Sequence, residues 1–144
     1  MIKLKDYSDE YLDECMKIEE ENMIIYDGWS AGEVQLNTWN GWYKELPKKV
    51  LIEGDSLVGF SIFKIIEKKL HIINLQVKKE CQGKGYGSKL ITDLIETAQI
   101  NNLDFVSLTV FKNNPTLKLY EKLGFSIASE GREKNSFIME KEIK

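Results

Sequence analysis

Residues 70–87, LHIINLQVKKECQGKGYG, decide how we interpret the rest of the chain. Aliphatic residues alternate with polar ones over the first half of this stretch, which predicts a β-strand. Gly83, Gly85 and Gly87 then fall within five residues, immediately before a segment whose apolar residues recur at helical spacing. Glycine allows positive φ angles, and a helix start offers N–H groups and a positive dipole end. The order of strand, glycine loop and helix predicts an anion-binding loop.

The spacing of these glycines excludes two common nucleotide-binding motifs. The P-loop pattern G-x-x-x-x-G-K-[ST] does not occur in the sequence. The dinucleotide pattern G-x-G-x-x-G needs a third glycine where the chain has Ser88. Its acidic partner, about 20 residues further on, would be Asp104, which lies at the start of the next predicted strand and not at its end.

The pattern that does fit is Q-x-x-G-x-G at residues 82–87. A second stretch, NNPTLKLYEKLGF at residues 113–125, follows the next predicted strand. Together the two motifs resemble the GNAT superfamily of acyl-CoA-dependent N-acyltransferases, over roughly residues 57–141. The resemblance implies that acetyl-CoA is the cosubstrate and that the loop binds its pyrophosphate. The residues that it assigns to cofactor binding are Leu75, Gln76, Val77, Gln82, Gly83, Lys84, Gly85, Tyr86, Gly87, Ser88, Asn114 and Asn113.

The same resemblance implies an α+β fold of mixed α/β character. We expect a central mixed, mostly antiparallel sheet of about six or seven strands, flanked by about four helices. With 144 residues, 42% of them hydrophobic, the chain is long enough for one core. It contains no repeat and no Gly/Ser-rich linker. Residues 1–144 are therefore expected to form a single domain.

Local signals predict the order of the other elements. Ser8 and Ser30 are expected to cap two helices in the first third of the chain, and Pro47 to end the second. The turn residues at 54–56 predict a hairpin. The strand at 105–110 follows the loop helix, so it should pair in parallel with the strand before the loop.

The implied reaction sets the demands on the site. The protein must place an amine against a thioester carbonyl, accept a proton from the ammonium group and protonate the leaving thiolate. The resemblance implies that a backbone N–H at residues 75–77 binds the acetyl oxygen and that Tyr120 donates a proton to the thiolate. It implies that Asn114, or else Asn113, binds the pantetheine arm. The alternatives are that Tyr120 only packs on its helix and that the asparagines cap the helix at Pro115.

The group that accepts the proton is less clearly indicated. Many relatives have a glutamate where this chain has Thr109. Others place a glutamate eleven residues before the first glutamine of the loop, and that position is His71, the only histidine of the chain. An unperturbed pKa near 6.5 suits His71 to this role. An ordinary strand histidine, a chain of waters and an acid such as Glu33 remain as alternatives.

Charge is unevenly distributed along the chain. The net charge is −3, which argues against a nucleic-acid-binding protein. Residues 6–33, which we call the acidic segment, contain ten acids and one lysine. This segment is either a solvated surface or a surface that attracts a cationic amine. The acids are Asp6, Asp9, Glu10, Asp13, Glu14, Glu19, Glu20, Glu21, Asp27 and Glu33.

The hypothesis is an N-acetyltransferase that transfers an acetyl group from acetyl-CoA to a primary amine by direct attack in a ternary complex. The alternative is a non-catalytic module of the same fold that binds or senses acyl-CoA. The partners considered are a small-molecule or peptide amine and a second copy of the chain in a homodimer. The aromatic residues that either line an acceptor pocket or belong to the core are Trp29, Trp39, Trp42 and Tyr43.

Other sequence features argue against further classes of site. No apolar run approaches a membrane span, and the first residues lack the apolar core of a signal peptide, so a cytoplasmic protein without a membrane partner is expected. Cys15 and Cys81 form neither a zinc-binding pattern nor a disulfide framework, because the chain has only these two cysteines and one histidine. We expect two free thiols and no metal.

Overall fold

The structure is a computed structural model and describes residues 1–143. Those residues form seven strands and four α-helices. The strands are β1 (Ile2–Asp6), β2 (Lys48–Glu53), β3 (Ser56–Ile66), β4 (Lys69–Val77), β5 (Phe105–Phe111), β6 (Ser126–Glu130) and β7 (Ser136–Glu142). The helices are α1 (Leu12–Met23), α2 (Glu33–Asn40), α3 (Tyr86–Ile100) and α4 (Leu117–Lys122).

The strands belong to one mixed sheet in the order β1-β2-β3-β4-β5-β7-β6. The pairs β1/β2, β2/β3, β5/β7 and β6/β7 are antiparallel. β4 and β5 pair in parallel, with Lys69 opposite Phe105 and Ile72 opposite Leu108, because α3 carries the chain back between them. The predicted α+β fold with a mostly antiparallel sheet is confirmed, as are the approximate numbers of strands and helices.

The chain divides into two compact units. The first unit contains Met1–Ile62 and Asn74–Leu90, and the second contains Phe63–Ile73 and the chain from Ile91 onward. The expectation that residues 1–144 form a single domain stays a prediction.

The core of the first unit requires a close approach between strands and helix. Leu51 of β2, Val58 of β3 and Leu90 of α3 are buried in one cluster. A Cβ on the neighbouring Gly59 would lie 2.9 Å from the backbone oxygen of Gln76 and 3.2 Å from Leu90. Glycine at position 59 therefore allows β3 to pack this tightly against β4 and α3.

The core of the second unit is a βαβ arrangement. Leu94 and Ala98 of α3 are fully buried, as is Val106 of β5. Asn102, two residues after the last residue of α3, adopts the left-handed conformation with φ +56° and so ends the helix, as the Asn101-Asn102 pair after the helical pattern predicts. The next strand, β5, then starts at Phe105.

The predicted boundaries of the second helix are wrong. Helix α2 begins after Gly32, whose φ of +68° brings the chain into the helix, so Ser30 is not its cap. The helix ends at Asn40, seven residues before Pro47. A Cβ at the following Gly41 would lie 2.8 Å from the carbonyl oxygen of Asn37, so the chain turns there at a position that requires glycine.

The start of the first helix also differs in detail. Ser8 precedes a 3-10 turn at Asp9–Tyr11, and α1 follows from Leu12. The Ser8 hydroxyl donates to the Glu10 carboxylate at 3.0 Å and makes no hydrogen bond to a backbone N–H of the turn. Ser8 therefore marks the position of the helix start without the expected side-chain cap.

Candidate functional site

The glycine loop connects β4 to α3. After Val77 the chain makes a 3-10 turn at Lys79–Cys81 and reaches Gly83 and Gly85, whose φ angles are +83° and +87°. A Cβ at either glycine would meet nothing within 4 Å. Backbone conformation therefore requires these glycines, and the surface that they form is open.

The loop leads directly into the first turn of α3. Residues 82–85 are exposed, whereas Tyr86, Gly87 and Ser88 are half-buried at the helix start. The first N–H groups of a helix have no partner within the helix, and the dipole makes this end positive. Lys84 adds an exposed positive charge. This end of α3 can bind an anion such as a phosphate.

Tyr86 fixes the helix start to the hairpin of β2 and β3. Its hydroxyl donates to the Glu53 carboxylate at 2.6 Å. This hydrogen bond, with a smaller effect of lost solvation, raises the pKa of Tyr86 to about 12. The ring packs against the buried cluster that contains Cys81. The side chain of Tyr86 thus holds the loop in place, and Cys81 is a packing residue.

The end of β4 presents two different faces. Leu75 and Val77 are half-buried against the core cluster of the first unit. Gln76 points elsewhere, because its Oε1 accepts a hydrogen bond from Asn22 Nδ2 of α1 at 3.1 Å. The Val77 carbonyl accepts from Asn22 Nδ2 at 2.8 Å and from Gln82 Nε2 at 3.1 Å. Hydrogen bonds therefore bring Gln76, Val77 and Gln82 together.

A buried carboxylate continues this network, and the sequence did not single it out. Glu19 of α1 is only 4% exposed. Its Oε1 accepts from Gln35 Nε2 at 2.8 Å and from Trp39 Nε1 at 2.9 Å, and its Oε2 accepts from Asn74 Nδ2. In the sequence Glu19 resembles its acidic neighbours. The available signal was its position four residues after the buried Cys15, on the same helix face.

Tyr120, Asn113 and Asn114 belong to the second unit. Tyr120 is buried in α4, with its ring edge-on to Phe125 at 6.1 Å between centroids. Asn114 Oδ1 accepts from the backbone N–H of Thr116 at 2.9 Å and from its hydroxyl at 2.7 Å. Asn114 thus stabilises the turn before α4, as the capping alternative anticipated, while Asn113 is exposed.

His71 also lies in the second unit, beside a cavity of about 530 Å³. Its Nδ1 lies 2.6 Å from the hydroxyl oxygen of the buried Ser107 on β5. Burial lowers the pKa of His71, and the positive charges of Lys64 and Lys69 lower it further, against the opposing effect of Glu140. The cavity is lined in part by Lys64, Lys69, His71, Phe105, Ser107 and Ile138.

Most acidic side chains of the acidic segment lie on the surface. Nine of its ten acids are exposed, and Glu19 is the exception. Of the aromatic residues near it, Trp39 is 3% exposed and packs edge-on against Tyr43 and Phe60, with 5.4 Å between ring centroids in each pair. Trp42 is 58% exposed. Trp39 and Tyr43 therefore belong to the core, and Trp42 lies on the surface.

Among residues 1–143, no group of three or more His, Cys, Asp or Glu side chains is arranged to hold a metal ion. No helix in the same part of the chain is long and apolar enough to cross a membrane.

A model of the acetyltransferase (GNAT) family matches residues 7–125, which include the glycine loop, His71 and Tyr120. The chain belongs to this family. The resemblance found in the two sequence motifs is thereby confirmed. The match also includes residues 7–50, where the sequence alone showed only the expected order of helices.

Two curated relatives differ in the acceptor that their names give. A [ribosomal protein bS18]-alanine N-acetyltransferase of Haemophilus ducreyi is 31% identical over 99 residues, which are 68% of this chain and 66% of that protein. A probable spermine N(1)-acetyltransferase of Bacillus subtilis subsp. natto is 29% identical over 112 residues, 71% of this chain and 72% of that protein. The chain thus spans just under two thirds of the length of the first relative.

A solved structure shows the same fold over nearly the whole chain. It is the crystal structure of the PaiA N-acetyltransferase from Thermoplasma acidophilum in complex with coenzyme A, with a TM-score of 0.80 and 22% identity. The superposition covers 99% of each chain.

Proposed function

We propose that the protein is an N-acetyltransferase that transfers the acetyl group of acetyl-CoA to a primary amine by direct attack in a ternary complex. The observation that carries the proposal is the loop in which Gly83 and Gly85 adopt positive φ angles directly before α3, within the segment matched to the family. The solved structure of the same fold in complex with coenzyme A supports the choice of cosubstrate.

The pyrophosphate of acetyl-CoA would be bound by the loop and the first turn of α3. Backbone N–H groups of residues 83–88 supply donors there, and Lys84 supplies a positive charge. A backbone N–H at Leu75, Gln76 or Val77 would bind the acetyl oxygen and stabilise the charge that develops on it. Asn114, or Asn113, would bind the pantetheine arm.

The reaction requires three proton transfers. The amine nitrogen forms a bond to the carbonyl carbon, the carbon–sulfur bond breaks, and the leaving thiolate takes a proton from the Tyr120 hydroxyl. The new amide nitrogen then loses its extra proton, which restores the Tyr120 hydroxyl. His71 would accept the proton that the attacking ammonium group loses. A lowered pKa keeps His71 neutral at pH 7, as a proton acceptor must be. When Nδ1 carries the ring proton and donates to Ser107, Nε2 is the nitrogen that would accept.

A cationic acceptor fits the charge of the first unit. Nine exposed acids of the acidic segment would attract a polyamine or another cationic amine. One relative is named for spermine, which agrees with this choice, and the other is named for an alanine of a ribosomal protein. A cytoplasmic location and a homodimer stay predictions.

An acceptor screen tests the proposal. The purified protein is mixed with acetyl-CoA and spermine, an alanine-starting peptide or glutamate, and free thiol release is recorded. We expect release that depends on the amine, with spermine the best acceptor and with kcat/KM falling as salt rises, because salt screens exposed charges over about 8–10 Å. Binding of acetyl-CoA without release on any amine would favour the non-catalytic module. A salt-insensitive preference for glutamate would contradict the charge argument.

A further inference from the structure

The buried carboxylate of Glu19 has no assigned role in the proposed reaction. It accepts hydrogen bonds from three donors. An ionised carboxylate accepts hydrogen bonds and donates none. Gln35 and Trp39 supply two of the donors from α2, and Asn74 supplies the third from β4. Burying a charge is costly unless it is hydrogen-bonded in this way. Glu19 thus joins two helices to the strand that leads into the glycine loop.

The hydrogen bonds continue from Asn74 toward the loop. Asn74 Oδ1 accepts from Gln76 Nε2 at 2.9 Å, and Gln76 Oε1 accepts from Asn22 Nδ2 at 3.1 Å. Asn22 Nδ2 also donates to the Val77 carbonyl at 2.8 Å, and Asn22 Oδ1 accepts from Gln82 Nε2 at 3.4 Å. We call the four amide side chains of Asn74, Gln76, Asn22 and Gln82 the amide chain.

The amide chain has a direction, and the carboxylate determines it. Each side-chain amide donates with its NH₂ group and accepts with its oxygen. Since Glu19 only accepts, Asn74 must turn its NH₂ group toward Glu19, which leaves Asn74 Oδ1 for Gln76. Gln76 must then turn its NH₂ group toward Asn74 and its oxygen toward Asn22, and Asn22 must turn its NH₂ group toward Gln76. As a result, Asn22 presents its NH₂ group to the Val77 carbonyl and its oxygen to Gln82.

We propose that Glu19 is a positioning residue for the coenzyme A loop: its carboxylate orients the amide chain, which holds Val77 and Gln82 in the conformation that binds the cosubstrate. This inference rests on the proposed function of the loop. Residues 82–85 are exposed, and a Cβ at Gly83 or Gly85 would meet nothing within 4 Å, so the side-chain hydrogen bonds of Gln82 to Val77 and Asn22 help to restrain the start of the loop.

Glu19→Gln tests the direction of the amide chain with little change in shape. Glutamine brings an NH₂ group to a site where three NH donors already converge. To avoid two facing donors, Asn74 has to turn over, which reverses Gln76 and Asn22 and places an Asn22 oxygen against the Val77 carbonyl. We expect coenzyme A to bind about five- to tenfold more weakly in calorimetry, as for the loss of one or two hydrogen bonds.

An exchange of the two side chains provides the rescue. In the double variant Glu19→Gln/Asn74→Asp, the new glutamine accepts from Gln35 and Trp39 and donates to the carboxylate at position 74. That carboxylate still accepts from Gln76, so the rest of the chain keeps its direction and the net charge is unchanged. We expect coenzyme A affinity and Tm close to those of the wild type. Asn74→Asp alone places two carboxylates side by side and should have the lowest Tm.

Glu21→Gln is the matched control, since it removes the same charge from an exposed position of α1. It should leave coenzyme A affinity unchanged. If Glu19→Gln does not fold, Asn22→Ala interrupts the half-buried end of the amide chain and should weaken coenzyme A binding with little change in Tm.

Four results on coenzyme A binding would overturn the inference. They are a Glu19→Gln variant that binds coenzyme A as the wild type does, an equal loss in Glu21→Gln, an Asn22→Ala variant with full affinity, and a double variant that is not rescued. Rescued affinity with kcat still low would show that Glu19 exchanges protons and would overturn a purely positional role. Failure of the unmodified protein to bind coenzyme A would instead overturn the proposed function, and the Tm values would then test the amide chain alone.

Discussion

Gly85→Glu should separate cosubstrate binding from folding. We take about 6 Å as the separation between the new carboxylate and a pyrophosphate bound at the loop, to set the scale of the repulsion. One pair of unit charges at this distance repels by about 0.7 kcal/mol in water and by about 2.8 kcal/mol at an effective dielectric constant of 20. Two phosphate charges therefore cost at least about 1.4 kcal/mol, which corresponds to a tenfold loss of affinity. A φ of +87° adds backbone strain of about 1–2 kcal/mol for any residue other than glycine.

The strain can be separated from the charge by a matched variant. Gly28 has a φ of +88°, and a Cβ there also meets nothing within 4 Å, so Gly28→Glu introduces a similar strain and the same charge at another turn. We expect Gly85→Glu to bind coenzyme A at least tenfold more weakly in calorimetry, whereas Gly28→Glu keeps the wild-type affinity. Both variants should give wild-type circular dichroism spectra. Equal affinities of Gly85→Glu and the wild type would refute binding of the pyrophosphate at this loop.

Further predictions at three positions concern catalysis and stability. Tyr120→Phe keeps the ring packing and removes the hydroxyl, so kcat should fall by ~10²-fold with coenzyme A affinity unchanged, and an unchanged kcat would leave Tyr120 a packing residue. Because the pKa of His71 is lowered, kcat/KM should rise with pH to a plateau with a midpoint below about 6.5, and His71→Asn should remove this limb. The unfolded chain then binds more protons at His71 than the folded one, so stability should fall as pH drops below about 6.5, and His71→Asn should flatten this dependence in denaturant titrations. Gly59→Ala should lower the free energy of unfolding by about 1–3 kcal/mol, because its Cβ meets the Gln76 carbonyl, and an unchanged Tm would show that the strands can separate there.

The sequence predicts well those features that depend on neighbouring residues. Gly83 and Gly85 have the positive φ angles that a turn before a helix requires, and Asn102 ends α3 in the left-handed conformation. The parallel pairing of β4 and β5 follows from the helix between them. Each of these inferences uses residues that lie close together in the chain.

The features that the sequence did not predict depend on distant partners. Glu19 contacts Asn74 across 55 positions and Trp39 across 20, so its burial cannot be recognised within an acidic helix of similar composition. The predicted second helix is too long, because apolar residues such as Trp42 and Tyr43 continue beyond Asn40, whereas the close approach at Gly41 ends the helix. Where a buried charge lies depends on which elements pack together, and residue spacing alone does not specify that.

Chemical labelling of the two cysteines can measure local opening of the first unit. Cys15 and Cys81 are free thiols, and both are buried. Burial also raises the pKa of the Cys15 thiol, which keeps it in its unreactive protonated form. A thiol reagent should therefore label the protein only when the segments that cover these cysteines open. When reclosing is faster than labelling, the labelling rate measures the local free energy of opening. Slower labelling in the presence of coenzyme A would show that ligand binding and the opening of this unit are thermodynamically linked.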